Sequence, residues 1–191
     1  MRIMRLYQIA KLINNYYYIH ILQLKYLAEG AILLDTERKT TFCALCNISN
    51  EHIIKDHGLL SWGMMKYHGY DSFMATCENG SYPNLKYIPG VRLEFIPNVT
   101  GNFIKDSCVW LRKNAKRIDV LFIYHAVMRS VLQALTYKFF NPHGKIYLKF
   151  DGWPPRKHRG TFWKRPFYNW LVKHAACVST ELDGHDELMS A

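Results

Sequence analysis

One stretch of the sequence constrains the fold more than any other, the apolar run D-V-L-F-I-Y-H from Asp119 to His125. An uninterrupted apolar run of this length is typical of a strand that is buried on both faces, as in the middle of a parallel sheet. A helix is predicted directly after it, from Met128 to Phe140, because the N-P-H-G sequence that follows cannot continue a helix. A buried strand followed by such a helix predicts a right-handed crossover in an α/β protein.

Similar strand and helix patterns occur on both sides of this run. Further strands are predicted at residues 40–47, 72–77, 91–97, 145–151 and 176–180, and further helices at residues 58–68, 102–117 and 161–174. At 191 residues the chain is long enough for one α/β domain and too short for two. We therefore expect a Rossmann-like parallel sheet of about six strands flanked by helices, with the strand at residues 119–124 near its centre.

The first part of the chain has a different pattern from the rest. Residues 1–38 are predicted to form an N-terminal amphipathic helical extension, with a helix from about Ile3 to Leu27, and residues 39–191 the Rossmann-like domain. Polar residues interrupt the extension, so it lacks the roughly 18 to 20 consecutive apolar residues of a membrane-spanning helix and the apolar centre of a cleaved signal. The sequence leaves open whether this extension packs on the domain, lies on a bilayer or reflects an upstream start.

The formal net charge of +10 predicts attraction to polyanions, which include nucleic acid, an anionic bilayer surface and phosphorylated ligands. Much of the charge lies in the N-terminal stretch and between Lys149 and Lys173, where aromatic residues are interspersed. Such a basic and aromatic segment fits a helix with a solvated basic face, or a surface that stacks on bases or sits at a membrane interface.

The five cysteines are odd in number and scattered, which is typical of reduced thiols in a cytosolic protein. Cys43 and Cys46 form a C-x-x-C pattern within a predicted strand, where this spacing directs the two side chains to opposite faces. No second pair of ligands stands at the spacing of a zinc site, so we expect neither a metal nor a redox role for the pair.

Ligands of parallel α/β sheets bind beyond the carboxyl ends of the strands, which directs attention to residues 47–58, His125, Asp151 and Glu181. The loop after the first strand carries neither the glycine pattern of a dinucleotide site nor a P-loop. Gly58 is open to two interpretations, a close approach of phosphate to helix amides or an ordinary helix start. His125 fits either a base near neutral pH or a loop histidine.

Five segments, taken in order, carry a family resemblance. They are H-I-I-K-D-H-G-L-L-S-W-G-M-M-K-Y-H-G-Y-D, E-N-G-S-Y-P-N-L-K-Y-I-P-G-V-R-L-E-F-I-P, I-D-V-L-F-I-Y-H, K-F-F-N-P-H-G-K-I-Y-L-K-F-D and V-S-T-E. Together they resemble the N-terminal domain of bacterial GT-B glycosyltransferases of the group 1, or family 4, type. The resemblance covers about His52 to Leu188, and it rests on the order of the motifs rather than on any single one.

The resemblance implies a retaining transfer of a sugar from a nucleotide-sugar donor to a glycan or lipid-linked acceptor, without a metal or another cofactor. In that family the N-terminal domain mainly binds the acceptor, and the loop after its first strand reaches toward the donor phosphates. Asp56, His57 and Gly58 correspond to this loop by position. The resemblance further implies that His125 faces the transferred sugar and that Asp151 and Glu181 lie on the cleft side.

The family's C-terminal Rossmann domain, which holds the donor, has no counterpart in this sequence. We therefore expect the acceptor-side half of a truncated or split enzyme, inactive alone, with a partner chain supplying the second domain. The alternative is a basic α/β binding module that docks on an anionic membrane surface or on nucleic acid, nucleic acid being the less expected partner. A cytoplasmic location is expected, with peripheral contact at the inner face of the membrane. The sequence specifies neither the sugar nor the acceptor.

Overall fold

The structure of the chain is a computed structural model, which describes residues 38–47, 50–77, 80–124, 127–150 and 165–180. Residues 1–37 lie outside the described residues, so the N-terminal helix and the boundary at residue 38 stay predictions. The described residues begin at Arg38, shortly before the first strand, and end with the last strand at Thr180.

Six parallel strands form one sheet, in the order β3-β2-β1-β4-β5-β6. This confirms the prediction of a Rossmann-like parallel sheet with the apolar run near its centre. In β4, Ile123 pairs with Leu45 of β1 on one side and with Leu148 of β5 on the other. The strands are β1 Thr41–Leu45, β2 Asp71–Thr76, β3 Arg92–Phe95, β4 Val120–Tyr124, β5 Lys145–Phe150 and β6 Cys177–Thr180.

Five α-helices flank the sheet in the described part of the chain. They are α1 Asn50–Ile53, α2 Asp56–His68, α3 Phe103–Asn114, α4 Met128–Phe140 and α5 Arg165–His174. The described residues also include two short 3₁₀-helices, Pro83–Tyr87 and Ala115–Arg117. The bounds of α4 are those predicted, whereas α1 and the turn at Pro83–Tyr87 were not predicted, because elements this short carry no periodic pattern.

The ends of α2 and α3 follow from local chemistry. Helix α2 begins two residues earlier than predicted, with the acidic Asp56 in its first turn, where a carboxylate stabilises the helix dipole. It ends as predicted at Gly69, whose φ of 68° is accessible to glycine and whose N–H bonds to the Met64 and Met65 carbonyl oxygens. The side chain of Asn102 caps α3 by accepting hydrogen bonds from the next amides in that helix.

The two faces of the sheet pack against different helices. Helices α3, α4 and α5 cover the first face, which we call the helical face, and the strands contribute apolar side chains to its core, Cys43, Leu45, Leu121, Ile123, Ile146 and Leu148 among them. Helix α2 packs on β1 and β2 on the opposite face, which we call the α2 face. Alternation along the strands directs Phe42, Phe122 and Tyr147 to this second face, where the Phe122 ring centroid lies 6.1 Å from that of Phe42 and 5.3 Å from that of Tyr147.

Within the described residues, no helix combines the length and the apolar character that crossing a bilayer requires.

Candidate functional site

The order of the strands reverses direction between β1 and β4. From β1 the chain proceeds to β2 and β3 on one side, and from β4 it proceeds to β5 and β6 on the other. The connections that leave the carboxyl ends of β1 and β4 therefore diverge, and in parallel α/β sheets such a switch point is where ligands bind. The predicted search region, beyond the carboxyl ends of the strands, contains this point.

Asp56 lies at this edge and connects α2 to β4 and β5 through hydrogen bonds. It is the first residue of α2, and its carboxylate oxygens receive hydrogen bonds from two strands. Lys149 of β5 donates from Nζ to Oδ1 at 2.5 Å, and Tyr124, the last residue of β4, donates its hydroxyl to Oδ2 at 3.2 Å. The carboxylate thus fixes the start of α2 against the carboxyl ends of the two strands.

The ammonium group of Lys149 is the most unusual feature of the site. The residue is only 2% exposed, whereas the side chain of its partner Asp56 is 28% exposed. Removing a charged ammonium group from water costs several kcal/mol, which a paired carboxylate offsets only when the geometry is good. A buried ion pair at the ligand-binding edge of a sheet is therefore a candidate functional feature rather than a contribution to stability.

His57 is also buried, at 6% exposure, among aromatic side chains of the α2 face. Its ring centroid lies 4.7 Å from that of Tyr124 and 5.6 Å from that of Phe122, and the ring of His52 approaches to 5.8 Å. Its backbone carbonyl accepts a hydrogen bond from the Ser61 hydroxyl within α2. The imidazole thus packs between α2 and the end of β4, beside the hydroxyl group that binds Asp56.

Gly58 is required by close packing between α1 and α2. A β-carbon at this position would lie 1.8 Å from the carbonyl oxygen of Ile53, which is far inside van der Waals contact. Any larger residue would separate the two helices and move the start of α2. This contact accounts for the glycine without a phosphate, and the predicted phosphate contact at Gly58 stays a prediction.

The other three predicted site residues lie outside the described residues. His125, Asp151 and Glu181 directly follow the last residues of β4, β5 and β6 in the sequence. The three strands are parallel neighbours, so their carboxyl ends lie at one edge of the sheet, the edge of the Asp56 cluster. The roles predicted for these three residues stay predictions.

Two residues of the site were missed from the sequence. Tyr124 and Lys149 were assigned only to strands, and Lys149 was also counted as part of a basic segment. A signal was present, since alternation in K-I-Y-L-K-F directs Lys149 to the same face as Tyr147, which is buried. An ionisable residue at an inward position, just before the carboxyl end of a strand, indicates a site in this class of fold.

In the described part of the chain, no cluster of three or more histidine, cysteine, aspartate or glutamate side chains has the arrangement of a metal site. Cys43 and Cys46 are both buried thiols outside any disulfide, Cys43 within β1 and Cys46 just after it. Complete burial, reinforced by the Glu94 carboxylate, raises the pKa of the Cys43 thiol well above its usual value, although Arg117 opposes the shift. A thiol held in its protonated form is a poor nucleophile and a poor metal ligand.

A cavity lined by described residues lies at the other end of the strands. It has a volume of about 440 Å³ and is lined by Arg38, Thr41, Tyr70 and Asp71, among others. Thr41 and Asp71 begin β1 and β2, so this cavity lies at the amino ends of the strands. Helix carboxyl termini and strand amino ends meet at that edge, which is the side opposite to the ligand-binding edge of parallel α/β sheets.

Comparison with known proteins gives a distant structural similarity to a solved structure. No family model matches the sequence, and no curated protein matches it. A crystal structure of UDP-N-acetylglucosamine 2-epimerase aligns with 75% of this chain at 11% sequence identity and a TM-score of 0.47. The chain spans 42% of the length of that protein. A similarity this distant says nothing about substrate or reaction.

Proposed function

We propose that this domain is the acceptor-side half of a retaining glycosyltransferase, which transfers a sugar from a nucleotide-sugar donor to a glycan or lipid-linked acceptor. The observation that carries the proposal is the Asp56, Lys149 and Tyr124 cluster at the switch point of the sheet. The five ordered motifs described above support the same assignment, because Asp56 belongs to the first of them and Lys149 to the fourth.

The chemistry of the cluster suits an edge that receives sugars and phosphates. Lys149 neutralises the Asp56 carboxylate, so the loop after β1 does not repel a diphosphate. The side chain of Asp56 is 28% exposed, so a sugar hydroxyl can reach its carboxylate. The pair would therefore hold the start of α2 in place while Asp56 also binds a ligand hydroxyl.

The remaining predicted residues have defined roles in this proposal. His125, directly after β4, faces the transferred sugar, and Asp151 and Glu181 bind acceptor hydroxyls at the ends of β5 and β6. Gly58 and His57 hold α2 against α1 and β4, so that Asp56 keeps its position. Transfer needs donor and acceptor in near-attack contact, so the proposal includes a donor-binding Rossmann domain as the partner that closes the cleft.

A reconstitution experiment tests this function. The chain is co-expressed with a Rossmann-domain protein encoded in an adjacent reading frame. Sugar transfer from each of a panel of sugar nucleotides is then measured, and the background hydrolysis of the sugar nucleotide is subtracted. We expect transfer only with both proteins present, and a turnover lowered by about 10²-fold or more in His125→Ala, as for a group that acts in the transition state. His143→Ala serves as the control, because this exposed histidine lies at the amino end of β5.

Two results would contradict the proposal in different ways. Full turnover by His125→Ala in the reconstituted enzyme would remove the role of that histidine. The second result is that no sugar is transferred and that ligand-observed NMR detects no binding of any glycoside or sugar nucleotide, either to the unmodified chain or to the Asp56 and Lys149 variants. This result would contradict the glycosyltransferase assignment itself.

A further inference from the structure

The helical face of the domain has an unbalanced charge. Helices α3, α4 and α5 carry seven lysine and arginine residues in total and a single acid, Asp106. Asp106 is only 4% exposed, and its carboxylate accepts hydrogen bonds from the Thr100 amide. The outer surface of these three helices therefore presents cations without a compensating exposed carboxylate of its own.

The central helix of this face exposes large apolar side chains instead. Helix α4 packs against both α3 and α5, and its outward positions Leu132, Leu135 and Phe139 are 46%, 38% and 79% exposed. They follow one another at spacings of three and four residues, so they form one stripe about 10 Å long, which we call the apolar ridge. Exposed apolar side chains scattered singly need no explanation, whereas an aligned row of them indicates a contact surface.

The cations lie on the helices that flank this ridge. Exposed Lys105, Arg112 and Lys113 lie on α3, and exposed Arg165 and Lys173 lie on α5. The surface is thus an apolar ridge with basic residues on both sides. This arrangement fits the boundary between headgroups and acyl chains, where the apolar row inserts and the cations meet anionic headgroups.

We propose that the helical face docks peripherally on an anionic bilayer surface, with the apolar ridge inserted and the flanking lysine and arginine residues at the headgroups. A second copy of the chain fits this surface less well, because it would bring two sets of cations together. Nucleic acid would use the cations and Phe139 offers a ring for one base, but Leu132 and Leu135, the rest of the ridge, provide no stacking surface for bases. This proposal does not depend on the glycosyltransferase assignment.

Vesicle sedimentation of the full chain provides the first test. We expect binding to vesicles of 30% phosphatidylglycerol in phosphatidylcholine and at least tenfold weaker binding to phosphatidylcholine alone. Lys113→Gln with Lys173→Gln should weaken binding by about tenfold or more, since each cation at the surface contributes severalfold. The matched control, Lys66→Gln with Lys86→Gln, removes the same charge from α2 and from the Pro83–Tyr87 turn.

The apolar ridge is tested separately. Leu132→Gln with Phe139→Gln should also weaken vesicle binding severalfold, whereas Val99→Gln, at an 82% exposed position outside the helical face, should not. In addition, Phe139→Trp should show blue-shifted fluorescence on anionic vesicles, and Val99→Trp should not. Because the chain has five tryptophans of its own, each shift is taken as the difference from the unmodified protein, and this difference reports insertion even if a glutamine variant were unstable.

Several outcomes would overturn the proposal. Absence of binding to anionic vesicles would contradict docking itself. An equal fall in binding for the two lysine pairs would mean that the overall charge of the protein, and not the helical face, attracts it to the vesicles. Binding that is insensitive to Leu132→Gln and Phe139→Gln, with no blue shift for Phe139→Trp, would exclude insertion. If duplex DNA displaced the protein from vesicles, and if Leu132→Gln and Phe139→Gln bound DNA as well as the unmodified protein, nucleic acid would be the partner of this face.

Discussion

Both faces of the sheet bury apolar side chains, Phe42 and Phe122 among them on the α2 face, but the α2 face also buries a charged group of a strand. The strands direct apolar residues such as Leu121, Ile123 and Leu148 to the helical face, where three helices cover them. On the α2 face, β5 buries Tyr147 and Lys149, and the Lys149 ammonium pairs with Asp56. Apolar packing stabilises a fold, whereas buried charge and hydroxyl groups add little net stability and need specific partners. We infer that the helical face holds the domain together and that the α2 face positions the site.

The largest effect should come from a truncation on the helical face. Leu148→Ala removes a fully buried side chain from the apolar core, so we expect the free energy of unfolding to fall by about 2 to 5 kcal/mol. Urea denaturation of both proteins at one pH measures the difference. A loss below about 1 kcal/mol would mean that the helical face is not the main source of stability.

A smaller effect is expected at the buried ion pair of the α2 face. Lys149→Met should lower the free energy of unfolding by about 1 to 3 kcal/mol, because it leaves the partly exposed Asp56 carboxylate without its ammonium partner. Adding Asp56→Asn should recover part of this loss and still abolish ligand binding. The control is Arg92→Met, whose pair with Asp71 is exposed on both sides and should contribute less than about 1 kcal/mol.

The opposite result at this pair would change the interpretation of the α2 face. If Lys149→Met were neutral for stability, the Asp56 carboxylate would not need its ammonium partner in the folded protein. If the double variant bound ligands as well as the unmodified chain, the pair would have no positioning role. Urea denaturation gives the first quantity, and ligand-observed NMR gives the second.

The third prediction concerns alkaline pH. Burial raises the pKa of the Cys177 thiol to about 11, whereas a thiol in the unfolded chain ionises near pH 8.5. Between these values the unfolded state loses the proton and the folded state keeps it, so the free energy of unfolding falls as pH rises. Cys177→Ala should remove about 1 to 2 kcal/mol of the fall between pH 8 and pH 11. Urea denaturation at the two pH values measures it, and equal falls in both proteins would contradict the shift.

The sequence predicted the fold better than it predicted the site, for physical reasons. The central strand and α4 follow from local patterns, an apolar run and a helix that ends before Pro142. Asp56 was also expected at the site from its position after β1. Its partners were not, because Tyr124 and Lys149 are 68 and 93 residues away in sequence and only the register of the sheet brings them to Asp56. The role of Gly58 likewise depends on α1, a helix too short to predict.

The smallest effect is expected for the Tyr147 hydroxyl group, which tests how much one polar contact on the α2 face contributes compared with apolar packing on the helical face. Tyr147 is 1% exposed on the α2 face, and its hydroxyl donates to the Ser179 hydroxyl of β6 at 3.0 Å. Tyr147→Phe keeps the ring and removes this bond, so we expect the free energy of unfolding to fall by about 0.5 to 1.5 kcal/mol, less than for Leu148→Ala at the next position. Ser179→Ala should have a similar effect.

The double variant of Tyr147→Phe and Ser179→Ala decides whether this bond is the cause. Because each single variant leaves the other hydroxyl group buried with one partner fewer, the double variant should be less destabilised than the sum of the two, with a coupling of about 0.5 kcal/mol or more. Chemical denaturation of the four proteins completes the cycle. Additive losses would mean that the two hydroxyl groups act independently. A loss for Tyr147→Phe as large as that for Leu148→Ala would mean that polar contacts stabilise the α2 face as strongly as apolar packing stabilises the helical face.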